Sequence, residues 1–222
     1  MRLLFTFADH LVKPFIQTYM SNLTDPEKKI LQAAKQVFEA YGYTGARMQQ
    51  IADTAGISKA SLHYYFRSKE KLFDRIFEET MAEFIPLVST WEESDNNWEV
   101  KLSGFITAFF TFLRRKSMLF IIQEVNRDPG LLAARKKDGK TKKNRFIAYF
   151  ERLQLEGKIK HIDTRTLYIF LHSLCAYPIL NSVIFKMNLQ LSDKEYEHYM
   201  QDYPTMVAEF LIENIKNKNK SK

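Results

Sequence analysis

Residues 58–71 gather Ser58, Lys59, Ser61, His63, Tyr64, Tyr65, Arg67, Ser68, Lys69 and Lys71 into one short stretch, broken only by Ala60, Leu62, Phe66 and Glu70. Hydroxyl, imidazole and ammonium groups at such density can hydrogen-bond base edges and neutralise phosphates. Leu62 sets their orientation. If it points inward, a step of about 100° per residue turns Ala60, Ser61, His63 and Tyr64 outward, with Lys59 and Tyr65 at the boundary. Arg67, Lys69 and Lys71 add positive charge at the same edge, and Lys69 sits beside a helix N-terminus. Phe66, by contrast, reads as packing.

These side chains need a frame. "TDPEKKILQAAKQVFEAYGY" opens with Thr24 or Asp25 as a cap, Pro26 in the first turn and Glu27 where the helix dipole favours negative charge. Ile30, Ala34, Val37, Phe38 and Tyr41 form its apolar stripe, and Gly42 ends it. A second helix is predicted from about Arg47 to Ala55, with Ile51, Ala52 and Ala55 inward and Gly56 closing it in the left-handed conformation. Ser58 caps a third, buried through Ile57, Leu62 and Phe66. The result is a three-helix unit containing a helix-turn-helix, whose second helix enters the major groove.

Lys69 opens a long fourth helix bearing Leu72, Ile76, Phe77, Thr80, Met81, Phe84 and Val88 at helical spacing. Further helices are predicted near 97–115, 117–126, 130–157, 163–186 and 192–217, with Pro178 and Pro204 expected to kink or split the last two. The tail "NKNKSK" is expected to be disordered. The expected organisation is an N-terminal extension over 1–22, a helix-turn-helix domain over 23–70, and a larger helical domain over 71–222.

The 222 residues are 45% hydrophobic and 27% charged, with 7 glycines and 6 prolines, which allows a sizeable core and favours an all-α fold. A net charge of +7 suits a polyanionic partner. The single cysteine, Cys175, excludes an internal disulfide and a thiolate cluster, which fits a reducing cytoplasm. No cofactor or metal is implied. His10, His63, His161, His172 and His198 are scattered without metal-like pairing, and no nucleophile–base set or glycine-rich phosphate loop occurs, so catalysis is set aside.

Two apolar stretches could suggest a membrane. In residues 1–19, Leu4, Ala8, Leu11, Phe15 and Tyr19 share a helical face, but Asp9, His10 and Lys13 interrupt the apolar core and no small-x-small cleavage site follows. A functional start at Met20, or an accessory helix, fits better. The uncharged run from Thr166 to Phe185 contains His172, Ser173, Pro178, Asn181 and Ser182, which suit a buried helix interface better than lipid. No membrane partner is expected.

"QQIADTAGISKASLHYYFRSKEKLF" resembles the DNA-binding region of the TetR family of bacterial transcription regulators. That family's pattern is matched by Ile51, Ala52, Ala55, Gly56, Ser58, Leu62, Tyr65, Phe66, Ser68, Lys69, Glu70 and Leu72, within about residues 24–75. The resemblance implies that Gln49, Lys59, Ala60, Ser61, His63 and Tyr64 face bases or nearby phosphates, and that Tyr65 and Lys69 meet the DNA backbone. Two positions depart from it. Arg47 stands where Ser or Thr usually caps the second helix, and His63 where Tyr is usual, bringing a titratable ring to the DNA edge. The resemblance further implies a homodimer on a palindromic double-stranded operator, repression by default, and release by a small-molecule inducer.

For that inducer, the candidate lining is Phe105, Phe109, Phe112, Phe120, Tyr149, Tyr168, His172, Cys175 and Tyr177. Carboxylates are sparse in these segments, Glu124 and Asp128 being the main exceptions, which tilts the ligand toward neutral or anionic apolar molecules. Cys175 lies in an apolar run that would raise its thiol pKa, against a redox-sensing role. "RKKDGKTKKNR", Arg135 to Arg145, lacks interleaved aromatics and reads as a solvated face or loop. Stripes of Leu167, Leu171 and Leu174, and of Val207, Phe210, Leu211 and Ile215, are candidates for a subunit interface.

Overall fold

The computed structural model describes residues 25–93, 97–133 and 145–217, which are helical apart from turns and one antiparallel bridge between Ile159 and Lys216. The all-α expectation holds. The expected N-terminal extension, the basic run before Arg145 and the C-terminal tail lie outside the described residues.

The helices are α1 (Asp25–Gly45), α2 (Met48–Ala55), α3 (Lys59–Tyr65), α4 (Lys69–Glu93), α5 (Trp98–Leu113), α6 (Lys116–Arg127), α7 (Gly130–Ala133), α8 (Arg145–Leu155), α9 (Thr164–Leu180), α10 (Ser182–Leu189) and α11 (Asp193–Ile215). They divide into two compact units: α1–α4 with α6 and α7, and α5 with α8–α11.

In the first unit, Asp25 and Glu27 complement the positive end of α1, and Ile30, Ala34, Val37 and Phe38 are buried at the predicted spacing. Gly42 breaks the helix with φ 68° and ψ 170°, a region closed to side chains bearing a Cβ. Tyr41 departs from the predicted stripe and is 58% exposed. It borders a cavity of about 420 Å³ that also touches Phe38, Gly42, Leu119, Phe120 and Glu124, so nothing covers its ring.

Phe38 is fully buried, stacked on Phe120 at 5.5 Å and edge-on to Phe73 at 6.4 Å. Charged pairs link the same helices, Lys35 with Glu79 at 2.9 Å and Arg115 with Glu83, and within α6 Arg127 pairs with the buried Glu124 at 3.1 Å. The Glu124 carboxylate also closes on Gly42, where an added Cβ would lie 3.2 Å from Oε1.

The second unit is built on α5, whose Leu102, Phe105, Ile106, Phe109, Phe110 and Leu113 are buried and which packs against α9 and α11. Pro178 lies in the last turn of α9 and cannot donate to the Leu174 carbonyl. The Tyr203 hydroxyl donates to that carbonyl instead at 3.1 Å, and Tyr196 donates to the Pro178 carbonyl at 2.8 Å. The axis then turns by 76° between α9 and α10, so the predicted break near Pro178 occurs at Asn181. No split occurs at Pro204. Its ring is buried within a helix that runs from Asp193 to Ile215, where packing outweighs one missing N–H.

The predicted interface stripes also need correcting. Leu167, Leu171, Val207, Leu211 and Ile215 are buried within the unit, because both helices turn them toward α5 and their neighbours. Of the predicted stripes Phe210 stays exposed, and the other large apolar side chains left uncovered include Phe170, Tyr177, Val183 and Met187.

Candidate nucleic-acid interface

The turn between α2 and α3 fixes the geometry of the site. Gly56 takes φ 68° and ψ 31°, and its N–H and that of Ile57 donate to the Asp53 and Ala52 carbonyls at 3.1 and 3.0 Å, closing α2. Two residues later the Ser58 Oγ accepts from the Ser61 N–H at 3.0 Å and starts α3. Leu62, fully buried between them, anchors α3 to the core and turns the opposite face outward. Lys59, Ala60, Ser61, His63 and Tyr64 are exposed on that face, Tyr64 to 82%, while Tyr65 is half-buried and meets the Tyr64 ring edge-on at 5.2 Å.

Neighbouring contacts orient several of these groups. The Ser61 hydroxyl lies 2.9 Å from that of Ser58. Gln49 is exposed on α2, its amide donating to Asp53 Oδ1 at 2.8 Å. Arg47 precedes α2 and supplies no side-chain cap; the Gln50 Oε1 instead accepts the Arg47 N–H at 2.9 Å, leaving the guanidinium exposed. His63 Nδ1 stands 3.2 Å from the Arg67 carbonyl.

Lys69 is held more tightly than its predicted backbone role requires. Its Nζ donates to the carbonyls of Thr44 at 3.3 Å and Ala46 at 3.1 Å and lies 4.6 Å from the centre of the Tyr43 ring. An ammonium has three donors, so one remains for a phosphate. Tyr43, which the sequence reading passed over, also donates to Glu70 at 3.0 Å. Hydrogen bonds from Ser68, from the Glu70 backbone and from Tyr43 hold the Glu70 carboxyl below the usual carboxylate range. Its place immediately after the helix-ending Gly42 was the available signal for Tyr43.

The structure brings together part of the predicted ligand set. In the second unit Phe105 stacks on Phe109 at 5.7 Å, Phe109 meets His172 at 4.8 Å, and His172 meets Tyr168 at 3.9 Å. Phe146, not predicted, closes the loop of rings against Tyr168 at 5.6 Å and Phe105 at 6.2 Å. Burial pushes the His172 imidazole down, opposed by its contact with the Tyr168 carbonyl at 2.9 Å. Cys175 is buried and its thiol is pushed up to about 12, which removes the thiolate that redox sensing needs.

The remaining members have other surroundings. Phe112 is buried in α5, Tyr149 lies under Lys101 and Arg152 at 5.6 and 5.2 Å, and Tyr177 packs on Phe185 at 5.7 Å with its other side exposed. Phe120 belongs to the first unit, stacked on Phe38.

Residues 30–76 match the family model described as bacterial regulatory proteins, tetR family. The HTH-type transcriptional regulator RutR of Escherichia coli is 32% identical over 102 residues, which are 46% of this chain and 42% of that protein. This chain therefore spans less than half the length of RutR. The HTH-type transcriptional repressor NicS of Pseudomonas putida is 23% identical over 195 residues, covering 84% of this chain and 91% of that one. The Bacillus subtilis regulator FadR, solved with stearoyl-CoA, has the same fold, with a TM-score of 0.61 at 21% identity over 85% of this chain and 99% of that one. With the helix-turn-helix, its outward-facing α3 and the family pattern in one segment, residues 30–76 carry the DNA-binding region of the tetR family of bacterial regulatory proteins.

Proposed function

We propose that this protein is a cytoplasmic transcriptional repressor that reads a palindromic duplex operator as a homodimer and is released by a small apolar ligand. The observation that carries the reading is the exposed face of α3, where Lys59, Ser61, His63 and Tyr64 project from a helix anchored by Leu62 and started by Ser58. A helix seated this way presents short polar groups to base edges, while Arg47, Gln49, Tyr65 and Lys69 at its rim meet phosphates. Residues 23–70 serve as the reading head and residues 71–222 carry sensing and dimerisation.

One recognition helix reads only a few base pairs, so an operator of useful specificity needs two copies related by two-fold symmetry. The uncovered apolar side chains of α9, α10 and α11, with Val183 72% and Met187 69% exposed, suit a second copy. The ligand site centres on Phe105, Phe109, Tyr168 and His172, with Phe146 closing it. An apolar, neutral or anionic ligand suits this ring set, and the stearoyl-CoA held by FadR is of that class. Ligand acts by favouring one of two spacings of the reading heads.

A mobility-shift titration of the full chain against the DNA upstream of its own gene tests the reading. A discrete complex should form, resist nonspecific competitor and weaken steeply with added salt. Equal affinity for that DNA and for unrelated duplex would sink it.

A further inference from the structure

His63 is exposed on α3 beside Ser61 and Tyr64, and its Nδ1 stands 3.2 Å from the Arg67 carbonyl oxygen. A carbonyl oxygen can only accept, so Nδ1 carries the hydrogen in this contact. In the neutral ring, Nε2 is then a bare acceptor. A phosphate oxygen is also an acceptor and gains nothing from such an atom. The donors that the major groove presents are the exocyclic amino groups of adenine and cytosine.

The neighbours strengthen this assignment. Ala60 offers only a methyl group, and the Ser61 hydroxyl is engaged with Ser58 at 2.9 Å. Lys59 and Arg67, one turn to either side of His63, can only donate. His63 Nε2 is therefore a fixed acceptor on a face where the hydroxyls of Ser61 and Tyr64 can turn to donate or accept.

Resting on the DNA-reading function proposed above, we infer that His63 is a specificity-determining residue whose Nε2 accepts a hydrogen bond from the exocyclic amino group of an adenine or cytosine in each half-site. The Arg67 carbonyl is the device that sets the tautomer. It makes a ring that could either donate or accept into an acceptor.

Selection from a random duplex pool, in mildly alkaline buffer with the full chain, tests this. Wild type should enrich adenine or cytosine at one symmetry-related pair of positions. His63→Phe keeps a ring and should lose that preference alone, and His63→Arg should move it to guanine, whose N7 and O6 accept. Replacing the selected base by its analogue lacking the exocyclic amino group should weaken wild type about tenfold, the effect of one lost base contact of about 1.4 kcal/mol. That measurement needs no variant, so it decides the matter even if His63→Phe folds poorly. An unchanged sequence preference in His63→Phe with uniformly lower affinity would assign His63 to a phosphate, and an analogue that binds wild type as well as the parent base would overturn the inference. Failure of wild type to enrich any sequence would instead overturn the DNA-reading function itself.

Discussion

Both compact units have an apolar core tied by polar contacts, and they differ in what they leave at the surface. In the first, polar contacts link helices at set points around an aromatic core: Lys35 of α1 to Glu79 of α4, and Lys69 to the carbonyls of Thr44 and Ala46. In the second, a loop of rings is likewise tied at set points, Tyr203 to the Leu174 carbonyl and Tyr196 to that of Pro178, but large side chains such as Val183 and Met187 remain uncovered. A unit pinned by hydrogen bonds and ion pairs holds one geometry, which suits presenting α3 in a fixed pose. Uncovered apolar side chains favour further apolar surface, which suits a second copy.

Phe38→Ala should have the largest effect, because the ring is fully buried at the centre of the first unit. A loss of about 3–5 kcal/mol is expected in denaturant unfolding. A loss below about 1 kcal/mol would show that the polar ties alone hold the unit.

The apolar face of the second unit comes next. Val183→Asp with Met187→Asp should raise the dimer dissociation constant by about a hundredfold, or nearly 3 kcal/mol, seen as monomers in light scattering. Because both side chains are exposed within the protomer, its helix content should not change. An intact dimer would place the interface elsewhere.

Gly42→Ala tests the close approach of α6 to the break in α1. The φ of 68° with ψ 170° and the Glu124 oxygen 3.2 Å from an added Cβ predict a cost of about 1–3 kcal/mol in thermal or denaturant unfolding. A neutral outcome would show that this contact is looser than its geometry implies.

The smallest expected effect is a pH dependence in the second unit. Burial lowers the folded-state pKa of His172 from its ordinary 6.5, so the unfolded chain binds the proton more readily. The contribution of His172 is therefore full above about pH 6.5 and is lost as pH falls from there through the lowered folded value. Melting curves from about pH 7.5 to about pH 5 should show a drop in wild type that His172→Gln reduces. Identical profiles would mean that the ring remains solvated enough to titrate freely.

What the sequence determined by itself is local. The stop at Gly42, the left-handed Gly56, the Ser58 cap and the inward Leu62 follow from backbone sterics and one-turn spacing, and together they orient the exposed face of α3. Tertiary structure decided whatever depended on which of several equivalent partners met. In α9 and α11 nearly every face carries apolar residues, so periodicity could not tell the buried Leu167 and Leu211 from the uncovered Phe170 and Phe210. Phe120 has the composition of a pocket residue but stacks on Phe38, and Phe146 closes a ring set from a helix where no sequence signal marked it. The Lys69 amine was legible as a cation near a helix start, but its capture by two carbonyls depends on a turn 23–25 residues earlier in the chain. Short-range geometry is written in residue type and spacing, whereas the choice among similar apolar or charged partners is made by whichever arrangement fills space and satisfies polar groups at once.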